Sequence, residues 1–113
     1  MATPSLRMTP ALVHILLTLV PAPQHGYAVM REIEDRTSGR IRLGPSSLYW
    51  TLGRLQDAGL IREVPEPANA DTHDERRRYW QLTAVGREQL QEEIEALSEI
   101  VSHANARKLE STR

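Results

Sequence analysis

The residues most able to do chemistry in this chain follow Gly44-Pro45, where Ser46, Ser47, Trp50 and Arg54 recur at helical intervals. At about 100° per residue, Leu48, Leu52 and Leu55 line one face of a helix over residues 45–58. Ser46, Trp50, Gly53 and Asp57 take the opposite face, with Ser47 and Arg54 flanking it. A large aromatic is thereby aimed away from the core, beside a forked cation and two hydroxyls. That set suits base reading, which needs the exposed N-terminal residues of a helix in the major groove. Arg54 can donate two bonds to guanine, worth ~1–3 kcal/mol against the wrong base, or instead contact a phosphate or pair with Asp57. Trp50 can pack on a thymine methyl or a sugar, or tuck under a neighbouring hairpin. Gly53 costs roughly 1 kcal/mol relative to Ala in a helix, which a close approach to its backbone would explain.

Other cations could hold the DNA backbone. Arg76, Arg77 and Arg78 follow Asp74-Glu75, so part of their charge can be neutralised locally while at least one reaches a phosphate. Arg40 and Arg42 flank Ile41, as a DNA contact or as a solvated edge. His25 can sit near a phosphate with the free N–H groups of a helix start, or cap that start itself. Tyr27 and Tyr49 complete the DNA candidates, although a core or backbone-bonded place is the commoner fate of a tyrosine. Nothing points to catalysis: the chain has no Gly-rich phosphate loop, no Gly-x-Ser-x-Gly elbow and no paired carboxylates in an apolar setting. His14, His25, His73 and His103 lack ligand spacing, so neither a metal nor a cofactor is expected.

The elements that must position these groups can be read from caps and periods. Thr9-Pro10 starts a helix over about 10–20, with a hydroxyl to cap free N–H groups and a ring preset for the first turn. Leu12, Ile15, Leu16 and Leu19, with Val13, Leu17 and Val20, make it apolar around nearly its whole circumference. Such a helix is sandwiched on two sides, and a second subunit is the expected partner on one. His14 and Thr18 form its polar strip, as satisfied interface groups or as the lining of an effector pocket. Pro21-Ala22-Pro23 separates it from a helix running from Gln24 or His25 to Thr37, stopped by Ser38-Gly39. Arg40–Leu43 alternates like a very short strand.

Residues 60–64 and 77–82 read as strands of a hairpin with a long polar tip, Trp80 and Leu82 facing inward. Thr83 caps a last helix reaching about residue 108. Along it Leu90, Ile94, Leu97, Val101 and Ala104 are spaced 4, 3, 4 and 3, the rhythm of a seam packed on another helix. The resulting fold class is mainly α with a small two- or three-stranded β-wing: a winged helix-turn-helix plus a C-terminal dimerisation helix. The expected organisation is a flexible arm over residues 1–8, a winged domain over 9–82 and a dimerisation helix over 83–113.

Composition sets the outer limits. With 113 residues the chain amounts to one domain. Zero Cys excludes a disulfide frame and a Cys-based zinc site, and the cytoplasm is the expected compartment. The apolar run from Ala11 to Val20 is about half of the ~20 residues a membrane span needs, and no cleavage site follows it. The net charge of −1 does not announce a nucleic-acid binder. It motivates a rival reading, a protein-interaction module that docks a partner through the acidic last helix and Trp50 without touching DNA. Of the 14 basic residues only Lys108 is not Arg, which favours forked contacts over point charges.

Four blocks then resemble a known family. They are His25-Gly26-Tyr27; Leu48-Tyr49 with Leu52, Arg54-Leu55 and Gly59-Leu60-Ile61; Arg77-Arg78-Tyr79; and Leu82-Thr83 with Gly86. Over about residues 10–105 they look like the PadR family of bacterial transcriptional regulators, in its smaller subgroup with a single C-terminal helix. The resemblance implies a homodimer joined through the first and last helices and binding of pseudo-palindromic promoter DNA. It also implies repression relieved by a small molecule. Trp50 and Gly53 stand where relatives often have Pro or a basic residue, which leaves the operator sequence open. Residues 84–113 contain no aromatic, so drug binding between Trp residues of that helix does not carry over.

Overall fold

Thr9 and Pro10 start the first helix as their types demand. In the computed structural model, which describes residues 6–68 and 78–108, the Leu12 amide donates to Thr9 Oγ1 at 3.3 Å and α1 spans Pro10–Thr18. Leu12, Ile15, Leu16 and Leu19 are buried in the chain's own core. This corrects their expected place at a dimer interface. The circumference is apolar because α1 packs on two helices of the same chain, the second and the fourth. Leu6 and Met8 also pack against this core, so the end of the expected arm joins the fold. Residues 1–5 lie outside the described part.

After the Pro21–Pro23 break comes a two-residue strand, β1, Gln24–His25, and then helix α2, Gly26–Arg36. The strand was not legible as such, and the expected strand at Arg40–Leu43 does not form. Thr37 supplies the reason. Its hydroxyl donates to the Ile33 carbonyl at 2.8 Å and accepts the Ile41 amide at 3.1 Å, folding this segment back onto the end of α2. Ser38 and Gly39, with φ of 53° and 79°, make the reversal between them. Helix α3 then runs Pro45–Asp57, with Leu48, Leu52 and Leu55 buried as its period predicts.

Gly59, with φ of 80°, ends α3: its own amide donates to Gln56 and that of Leu60 reaches back to Leu55 at 3.0 Å. Strands β2 (Ile61–Val64) and β3 (Tyr79–Leu82) pair antiparallel, with Glu63 opposite Trp80, and β1 pairs with the other edge of β3. The sheet order is therefore β1-β3-β2. Trp80 and Leu82 face the core as expected, but Tyr79 on the other face is buried too. The His25 ring meets it edge-on, with centroids 5.4 Å apart.

Helix α4, Ala84–Ala106, is anchored to the α3–β2 turn. Thr83 Oγ1 accepts the Gly86 amide at 3.0 Å and donates to the Gly59 carbonyl at 2.7 Å. A Cβ at Gly86 would lie 2.0 Å from the Leu60 carbonyl oxygen, so a side chain does not fit there. The expected seam divides in two. Leu90 is buried and Ile94 packs against the core, whereas Leu97, Ile100 and Val101 are exposed. Leu90 and Ile94 thus belong to the domain, and the unpartnered stripe begins at Leu97. No helix among the described residues is long and apolar enough to cross a membrane.

Candidate nucleic-acid interface

Helix α3 presents its polar face outward. Gly44 at its N-cap has extended backbone and no side chain to bond the first-turn amides, while Ser46 and Ser47 are exposed beside it. Thr51 Oγ1 donates to the Ser47 carbonyl at 2.8 Å. Trp50 is 65% exposed, and the Arg54 guanidinium carbon lies 4.9 Å from the centre of its ring. Stacking on Trp50 takes the place of the alternative pairing with Asp57. It holds the fork in a fixed direction at little entropic cost. No atom lies within 4 Å of where a Gly53 Cβ would be, so the backbone is open to close approach.

The start of α2 adjoins this face. His25 Nδ1 accepts the Ala28 amide at 3.2 Å, so this histidine caps the helix, and its ring stacks with Tyr27. Tyr27 and Tyr49 are both exposed, which corrects the expectation of core places for them. The Tyr27 hydroxyl accepts a bond from Arg31 at 3.1 Å, and Arg31 also lies 5.7 Å from its ring centre. Sequence reading missed this pair as a unit, although the i, i+4 spacing was there to find. The Tyr49 hydroxyl is 2.6 Å from the position of a Gly26 Cβ, so glycine lets α3 close on α2.

The wing cations are less free than expected. Arg78 binds Glu63 through two bonds, of 2.6 and 3.1 Å, and lies 5.0 Å from the Trp80 ring centre. Its hydrogen bonds hold the Glu63 carboxyl below the usual carboxylate range. Arg62 donates twice to Gln81 Oε1, at 2.7 and 2.9 Å. Arg42 pairs with Glu34 at 3.5 Å and Arg40 is exposed. Arg76 and Arg77 lie outside the described residues. Exposed pairs of this kind are worth ~0–1 kcal/mol, so a phosphate can draw Arg42 or Arg78 away at small cost.

His14 and Thr18 do not line an open effector pocket. Arg36 reaches over from α2, donating through Nε to His14 Nδ1 at 3.2 Å and through Nη2 to the His14 carbonyl and Thr18 Oγ1. Thr18 Oγ1 in turn donates to the His14 carbonyl at 2.9 Å. The strip is a satisfied junction between α1 and α2. Burial first, then Arg36 and Arg40, push the His14 pKa below its ordinary value. Among the described residues no group of three His, Asp or Glu could hold a metal ion.

An exposed helix face set between a helix-turn-helix and a three-stranded wing defines a winged helix-turn-helix protein. Residues 15–92 match the family described as "Transcriptional regulator PadR-like family", and the chain belongs to that family. Its role is accordingly that of a transcriptional regulator. A PadR family transcription regulator from Clostridium difficile R20291 superposes with a TM-score of 0.67 at 22% identity, covering 83% of this chain and 95% of that one. RosR from H. salinarum gives 0.66 at 25% identity, covering 93% and 88%. An uncharacterized 37.1 kDa protein in transposon TN4556 of Streptomyces fradiae is 37% identical over 95 residues, 84% of this chain. The chain spans about a quarter of the length of that curated relative.

Proposed function

We propose that this regulator binds double-stranded promoter DNA sequence-specifically, as a homodimer on a pseudo-palindromic site, and represses until a small molecule releases it. The observation that carries the reading is the outward face of α3, where Ser46, Ser47, Trp50 and Arg54 stand clear of the core at the uncapped helix start. Ser46, Ser47 and Trp50 face the bases, and Arg54, aimed by Trp50, reads guanine. Tyr27, Arg31 and Tyr49 take phosphates beside α3, and Arg40, Arg42 and Arg78 extend the grip at its flanks.

Dimerisation falls to α4 of the C-terminal segment, residues 83–113, and not to α1. Leu97, Ile100, Val101 and Ala104 form a stripe at intervals of 3, 1 and 3 that nothing in the chain covers. Two copies zipped along it would hold two α3 helices for half-sites roughly 34–36 Å apart. Footprinting on the DNA upstream of its own gene tests the proposal. A protected region with two-fold symmetry is the expected result. Protection without symmetry would overturn the dimer, and no protection would favour docking of a protein partner.

A further inference from the structure

Between the N-terminal arm, α1 and α3 lies a cleft of about 310 Å³. Its apolar walls come from Leu6, Leu12, Ile15 and Leu43, and Trp50 contributes an aromatic surface. Its charged groups are Arg7 and Arg54, and no acidic residue lines it. The volume is at the lower end of the range for small-molecule sites, large enough for one or two rings. Apolar walls favour an apolar body, and two guanidinium groups without a counter-charge favour one anionic group on it. We propose that this cleft binds a compact aromatic or alicyclic monoanion, and that this ligand is the effector of the function proposed above.

The cleft shares Trp50 and Arg54 with the DNA-facing surface of α3, which gives the inference its mechanism. A ligand anion that engages the Arg54 fork removes it from guanine, and a ring against Trp50 holds the aromatic on the α1 side. Ligand and operator then compete for the same two side chains, so no rearrangement of the dimer is needed for release. By linkage, DNA must weaken the ligand by the same factor as the ligand weakens DNA. This places the effector in each reading head, away from the His14–Thr18 strip that Arg36 closes.

The test uses 2-naphthoate as probe and its neutral counterpart 2-naphthylmethanol, titrated into the full chain while amide NMR shifts are recorded without DNA. Saturable shifts at Leu6, Leu12 and Thr51 are expected for the anion, with roughly tenfold weaker binding of the alcohol and of the anion to Arg54→Gln. Ala11→Leu, which fills the cleft from α1 and leaves both shared side chains in place, should abolish binding while keeping the spectrum of a folded protein. Equal binding of anion and alcohol would overturn the proposal, as would shifts confined to the Leu97–Val101 stripe or no shifts at all. If the probe binds in the cleft but leaves DNA retention by the wild type unchanged, the effector role is overturned. Since the spectra need no DNA, failure to bind DNA would count against the proposed function and leave the site standing.

Discussion

The guanidinium of Arg54 lies over the ring of Trp50, one helical turn earlier on α3, at 4.9 Å from its centre. The two act as one reading unit, the ring fixing the direction in which the fork points. Arg54→Ala should cost ~1–3 kcal/mol on the operator and relax the preference at one base position. Trp50→Ala should produce part of the same loss, because a freed Arg54 samples other directions. Competition binding across a set of single-base operator variants checks both. Equal loss on every variant for Arg54→Ala would show a phosphate contact instead.

Gly53 and Gly86 both lie in helices and should respond to alanine in opposite ways. At Gly53 the space is open, so Gly53→Ala should raise stability by about 1 kcal/mol and weaken DNA binding by blocking close approach. At Gly86 the new methyl would meet the Leu60 carbonyl oxygen, so Gly86→Ala should lower stability by about 1–3 kcal/mol or more. Urea unfolding of the two variants beside the wild type decides the matter. Matching shifts of the midpoint would contradict the packing described for α4.

His14 should make stability depend on pH. Its folded-state pKa is lowered by burial and by Arg36 and Arg40, so between that value and the ordinary ~6.5 the unfolded chain binds more protons. The neutral ring's contribution is complete above ~6.5 and is lost as pH falls through the folded-state value. A proton on Nδ1 would also face the Arg36 Nε–H that this atom now accepts. Thermal unfolding from about pH 7 to about pH 5 should fall more steeply for the wild type than for His14→Gln. Parallel curves would remove His14 as the cause.

The α4 stripe should be separable from the core. Ile100, 63% exposed, and Val101, 57% exposed, can be replaced together by Glu without opening the domain, and the double variant should sediment as a folded monomer. Leu90→Ala, by contrast, should cost about 2–5 kcal/mol of stability because that side chain is buried. A double variant that stays dimeric would place the interface elsewhere.

What the sequence discloses here is what local chemistry determines. The Thr9 and Thr83 caps, the left-handed Gly59 and the Leu48, Leu52, Leu55 face follow from residues within a turn or two of each other. The parts it hides are set by distant partners. Two residues, Gln24–His25, become a strand only because β3 lies beside them, and Arg40–Leu43 fails to become one because Thr37 claims the Ile41 amide. Apolar periodicity shows that α1 is enclosed, but not that α2 and α4 of the same chain enclose it. Arg36 on His14, and Arg78 on Glu63, are pairings across 22 and 15 residues that no spacing rule reveals. The candidate site was legible in α3, where one helix carries the whole face, and least legible in the wing.

Fluorescence anisotropy of a fragment from upstream of the gene, titrated with protein at several salt concentrations, tests the central claim most directly. A reading head that neutralises several phosphates should bind tightly at ~50 mM salt and lose affinity steeply, with a linear log–log slope, toward ~200 mM. Absence of binding at ~50 mM salt, or an affinity indifferent to salt, would contradict the assignment of α3 and its flanking cations to DNA.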